Sequence, residues 1–134
     1  MSSYAEDLQA CKEVAFLDVG KTGYIFELLG EFQSSDPNDP DNRGRATKIR
    51  EQLNMVKDDV QEISGIVARH GRSLSDADLA GSISVIQTNV SNIAQRLMWL
   101  QTKKYLASDD FQKDLEKVKT ILEIAKAVAE VVRG

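Results

Sequence analysis

The chain reads as an all-α protein, a four-helix up-down-up-down bundle, and three observations lead there. Apolar side chains recur at alternating steps of three and four in four long segments. No segment sustains alternation by two, and helix-ending residues separate the segments. Steps of three and four hold side chains on one face of an α-helix, because successive residues turn by roughly 100°. Each stripe covers roughly 22 to 29 residues, which makes rods about 33 to 43 Å long. Rods of matching length joined by turns pack as a bundle.

The first stripe is Tyr4, Leu8, Cys11, Ala15, Asp18, Thr22, Ile25, Leu29 and Phe32, with Ser2 and Ser3 placed to cap it. Its middle is unusual. Asp18 and Thr22 fall on the interior stripe one turn apart, and Gly20 and Gly23 stand beside them. A carboxylate there costs on the order of several kcal/mol unless it is paired or hydrogen-bonded. Two glycines in a helix interior cost roughly 1 kcal/mol each. The favoured expectation is a first helix broken or kinked near residues 20–23, with Asp18 turned to solvent. A buried Asp18–Thr22 polar pair that fixes register or marks a bend is the alternative.

Between this stripe and the next lies an acidic loop, residues 34–44, which holds both prolines of the chain. It is long for a compact bundle. The second stripe is Ala46, Ile49, Leu53, Val56, Val60, Ile63, Val67 and His70, and Gly71 follows where a left-handed residue would close the helix. A short connection at 71–75 leads to the third, in which Ser75 and Asp78 resemble a capping box with Asp in place of Glu. Its stripe is Leu79, Ile83, Ile86, Val90, Ile93, Leu97 and Leu100. After a break at 107–109, where Ser108 precedes Asp109 and Asp110, comes Phe111, Leu115, Val118, Leu122, Ala125, Ala129 and Val132. Ile121, Ile124, Val128 and Val131 add a second stripe, widening the apolar arc to roughly 200°.

Length and composition fit one folded domain over 1–134: 134 residues, 42% hydrophobic and 28% charged. No run of about 18 uncharged apolar residues exists to span a bilayer. The N-terminus MSSYAEDLQACKE lacks the basic and apolar regions of a secretory signal, so a cytoplasmic location is expected. The single cysteine, Cys11, sits on the core stripe and reads as a buried thiol in a reducing compartment.

Charge is uneven. Residues up to Gly44 hold nine acidic and three basic side chains, and the rest hold fourteen basic and twelve acidic. Arg43, Arg45, Lys48 and Arg50 form one basic cluster, joined at the same end of the bundle by Lys103 and Lys104. Asp36, Asp39, Asp41, Asp109 and Asp110 crowd that end too, so mutual neutralisation is expected and not nucleic-acid binding.

Chemistry is thin. Residues 15–22, from Ala15 to Thr22, fit a loose phosphate-loop pattern ending in Gly20, Lys21 and Thr22. Such a loop must leave a buried strand and enter a helix, yet a helical stripe leads into this one. Nucleotide binding is therefore a remote alternative. His70 is the lone histidine, so the ligand count excludes a zinc or di-iron bundle site, and a role at the helix C-terminus is expected. The segment from Asp39 imitates a calcium loop, but Arg43 and Arg50 stand where oxygen ligands are required. Nothing sets a nucleophile beside a base. The reading is of no enzyme, no cofactor and no metal.

The third helix is odd on its outside. From Leu79 to Gln95 it carries no charged residue, and opposite its core stripe lie Gly81, Val85, Thr88, Asn92, Gln95, Trp99 and Leu106. Small uncharged side chains around one Trp suit an interface, since backbones can approach and the ring supplies an anchor. A central helix covered by its neighbours would look the same. The expectation is a non-enzymatic protein–protein interaction module (adaptor, regulator or assembly subunit) that self-associates through this helix into a homo-oligomer. The alternative is a membrane-active helical protein, such as an α-helical pore component. Val14 to Phe32 is its moderately apolar segment, though Asp18, Lys21, Glu27 and Glu31 oppose deep insertion.

Overall fold

The structure, a computed structural model, describes residues 3–70 and 74–133. Four α-helices of alternating direction form the bundle: α1 (Tyr4–Gln33), α2 (Asn42–His70), α3 (Ala77–Thr102) and α4 (Ser108–Val132). No strand occurs among the described residues. α1 packs on α2 and α3, and α4 packs on the same two, so α1/α4 and α2/α3 are the diagonals. Contacts from Lys12 to Asp78, Thr22 to Asn89 and Gln33 to Arg96 show α1 and α3 running parallel as neighbours. α2 and α3 are thus consecutive in sequence but diagonal in the bundle, and Leu74, ahead of α3, is fully buried.

One core runs the length of the bundle, built from Ile49, Leu53, Val56, Val60 and Ile63 of α2 and Ile83, Ile86, Val90 and Ile93 of α3, with α1 and α4 closing it. The α2 and α3 stripes are the expected ones. α4 is rotated slightly from expectation. Asp114, Ile121 and Val128 are buried there, while Leu115 and Leu122 are only half-buried.

α1 corrects the reading of its middle. The break expected near residues 20–23 is absent: the helix is continuous for 30 residues, and Asp18 and Thr22 are both fully buried. The physical reason is a balance of terms. Glycine costs about 2 kcal/mol for the pair, whereas each buried Ile, Leu or Phe of α1 contributes about 1.5–3 kcal/mol, and Ile25, Leu28, Leu29 and Phe32 all lie beyond the glycines. Breaking the helix would forfeit their packing.

The ends differ in detail. Ser3 caps α1 by accepting from the Glu6 N–H at 3.1 Å. Asp76, not Ser75, caps α3, accepting from the N–H groups of Asp78 and Leu79 at 2.9 and 3.0 Å. Ser108 is the first residue of α4 and not its cap; Ala107 precedes it with no side-chain bond, and Asp109 and Asp110 face the positive helix end. Ser2 and Gly71 lie outside the described residues. α2 starts at Asn42, so the loop is 34–41 and shorter than the 34–44 expected. Buried Asn42 organises it, donating to the Asp36 carbonyl at 2.9 Å and accepting from Ser35 and Arg45 at 3.0 and 2.8 Å.

Candidate functional site

Two features stand apart from an ordinary bundle: an uncharged outer face and a buried carboxyl cluster. The face belongs to α3. Gly81, Val85, Thr88, Asn92, Gln95 and Trp99 are exposed and Leu106, just beyond the helix, is half-buried. Among the described residues α3 has only α1 and α4 as close neighbours, and no helix lies over this face. Val85 is 43% and Trp99 38% exposed. The indole is not loose: it stacks on Tyr105, with ring centroids 5.8 Å apart and planes 25° from parallel. Tyr105 in turn meets Phe32 edge-on at 6.3 Å and donates its hydroxyl to the Ser35 carbonyl at 2.6 Å. The anchor is thus tied to the core and to the loop.

α1 extends the face. Phe16 is 73% exposed on the α3 side of the helix, whereas Leu17, 59% exposed, and Tyr24 about two turns on project beside Lys21 on the α2 side. Phe16 lines the groove beside Ser82 of α3, with Asp78 and Lys12 at one end of it. The sequence reading missed these two side chains, although both lie off the stripe that carries Ala15 and Asp18 and the same helical projection turns them outward. Between Glu13 and Glu27 the only charges on α1 are Asp18 and Lys21. Asp18 is buried and Lys21 is drawn into ion pairs toward α2, which leaves the outer surface uncharged.

The cluster lies beneath. Asp18 has no exposed surface, and neither carboxyl oxygen accepts a hydrogen bond. Lys21 Nζ stands 3.5 Å from Asp18 Oδ1 but 2.8 Å from Asp59 Oδ2 of α2, so the lysine is committed to Asp59. Thr22 donates within its own helix to the Asp18 and Val19 carbonyls and accepts from Asn89 of α3 at 2.9 Å. Burial, and after it the neighbouring Asp59 carboxylate, pushes the Asp18 carboxyl up to about 9 against the pull of Lys21. Asp18 therefore carries its proton at neutral pH. Burial alone would raise Asp59, but Asp18 and Lys21 bring it below the usual range. Lys21 is accordingly an ion-pairing side chain between α1 and α2.

The remaining motifs resolve into packing. Ala15 to Thr22 is helix throughout, so its amides are turned into the helix's own ladder and form no cradle for phosphates. His70 bonds the Asp7 carboxylate of α1 and meets Tyr4 edge-on at 5.9 Å, which ties α2's last turn to α1's first. In the basic cluster Arg45 pairs with Glu31 and Asp39, and Arg50 with Asp110 and Asp114. Cys11 is fully buried, and burial with Asp7 nearby raises its thiol to about 11. Among the described residues no group of three or more His, Cys, Asp or Glu side chains could hold a metal ion. None of their helices is long and apolar enough to cross a membrane. Compared with protein-family models, curated proteins and solved structures, the chain matches none.

Proposed function

We propose that the protein is a non-enzymatic interaction module that pairs with a second copy of itself across the outer face of α3 and the adjoining flank of α1. The observation that supports this most is the exposure of Val85 and Trp99 on the uncharged outer side of α3, with Phe16 of α1 beside it, in a chain whose net charge is -4. Two such chains repel in general, but α3 carries no charge from Leu79 to Gln95, so a two-fold contact centred there sets no like charges at its axis. From Gly81 to Trp99 the face is about 27 Å long, and two helices make it about 20 Å wide. That footprint of about 540 Å² is below the roughly 800 Å² per partner of a standard interface, which suits a weak pair that separates on dilution. A location in the cytoplasm fits the buried thiol and remains part of the proposal.

Trp99 is the single tryptophan, so its fluorescence reports this face directly. Emission should shift to longer wavelength on dilution as the pair separates, and Thr88→Glu should show the dilute spectrum at every concentration. A spectrum that ignores both would remove α3 from the contact. A second reading, binding at a lipid surface, draws on the same exposure of Phe16 and Leu17. Flotation with vesicles of phosphatidylcholine and phosphatidylglycerol separates the two, because only the lipid reading carries the protein to the top.

A further inference from the structure

Going beyond that interaction, we propose that Asp18, Lys21 and Asp59 form a proton-operated latch between α1 and α2: the contact closes around a neutral Asp18, and opening it releases the proton. Three observations of geometry carry this. Asp18 is fully enclosed at the middle of a helix, so its carboxyl exchanges nothing with water while the contact is closed. Neither of its oxygens accepts a hydrogen bond, and its carboxyl neighbour across the contact is Asp59, to which only a protonated Asp18 can donate. Among the described residues the one cation in reach, Lys21, is already bound to Asp59, 2.8 Å away, against 3.5 Å to Asp18.

The charged groups facing Asp18 are Lys21 on its own helix and Asp59 from α2. α3 offers only the neutral Asn89, through Thr22, and has no charged residue between Asp78 and Arg96. α4 lies across the diagonal. An ionised Asp18 would leave two carboxylates sharing one ammonium in a dry contact. Moving the middle of α1 off α2 hydrates it instead. Gly20 and Gly23, inside the same turns with open space around them, make this the stretch of α1 with the weakest intrinsic hold on its helix.

The sign follows from linkage. A group whose carboxyl is raised in the closed state favours closing fully below its ordinary value of 3.8, and that benefit is lost as pH rises toward about 9. Acid locks α1 down and alkali loosens it. Across that window the opening constant should rise by up to about tenfold per pH unit, because one proton leaves per opening.

Amide hydrogen exchange of residues 17–25, corrected for the intrinsic rate at each pH, tests this on the wild-type protein, Asp18→Asn and Asp59→Asn. In the wild type, protection of this stretch should fall steeply from about pH 5 to about pH 9 and then level. Asp18→Asn should abolish the slope. Asp59→Asn frees Lys21 for Asp18, so levelling should move at least about one unit lower. A wild type without the slope, or a slope that survives in Asp18→Asn, would overturn the latch. Should Asp18→Asn not fold, the Asp59→Asn series decides it, since an unmoved levelling point is equally fatal. The same measurement in Thr88→Glu keeps the result independent of self-association.

Discussion

Trp99 lies stacked on Tyr105, centroids 5.8 Å apart, and Tyr105 is pinned to the body of the fold through Phe32 and the Ser35 carbonyl. An exposed indole held by a second ring loses little rotamer freedom on docking, and that freedom is one of the costs of association. Trp99→Ala should therefore weaken self-association by about 2 kcal/mol or more, in the range of an aromatic hot spot. The fold should lose less stability than it does with Tyr105→Ala, since the indole is 38% exposed and makes no bond to the backbone like that of Tyr105. Tyr105→Ala should weaken association and also lower the melting temperature, because it removes the hydroxyl bond to Ser35. Calorimetric dilution paired with thermal melts separates the two variants.

Gly23→Ala should stabilise the monomer. A methyl group added at Gly20 or Gly23 meets nothing within 4 Å, so only the helix-propensity term changes, about 0.5–1 kcal/mol in favour of alanine at each. Urea denaturation checks this. A loss of stability would mean that α1 is bent or opened at these positions.

Arg50→Ala should destabilise by about 1–3 kcal/mol, the range for losing hydrogen bonds to a charged group. Arg50 Nε donates to the buried Asp114 carboxylate at 3.0 Å, and burial already raises Asp114 in spite of this partner. Without Arg50 the carboxyl should hold its proton to higher pH still. Asp114→Leu with Arg50→Leu, a doubly apolar contact, should recover most of the loss, since a buried ion pair is often replaceable at no cost. Chemical denaturation of the double variant decides whether the pair contributes more than packing.

Much of this was legible in the chain. A 3-4 period over the whole length needs no knowledge of contacts, which is why the Ile83 and Leu53 stripes were read correctly. Asp18 and Thr22 were likewise found on the interior side, but the local cost of Gly20 and Gly23 was weighed above burial that occurs only in the assembled fold. Cross-helix partners were out of reach. Lys21 to Asp59 and Arg50 to Asp114 join positions 38 and 64 residues apart, and no spacing rule connects them. Neither do loop lengths say which helices become diagonal, so nothing in the stripes joined Phe16, which the projection of α1 turns outward, to the face of α3.

Lys21→Ala should destabilise by about 0.5–1 kcal/mol, a modest figure because both ends of its bond to Asp59 are partly in solvent and screened. Raising the salt concentration should shrink the difference, and melts at low and high salt measure it. An unchanged stability at low salt would mean that the ion pair contributes nothing.

Sedimentation velocity of the wild type and Thr88→Glu, from about one to about a hundred micromolar, bears most directly on self-association. The wild type should move from monomer toward dimer as concentration rises. Thr88→Glu sets like charges across the two-fold axis and should stay monomeric with its helical circular dichroism intact. A wild type that remains a monomer throughout, or a Thr88→Glu that dimerises as well as the wild type, would contradict pairing through the α3 face.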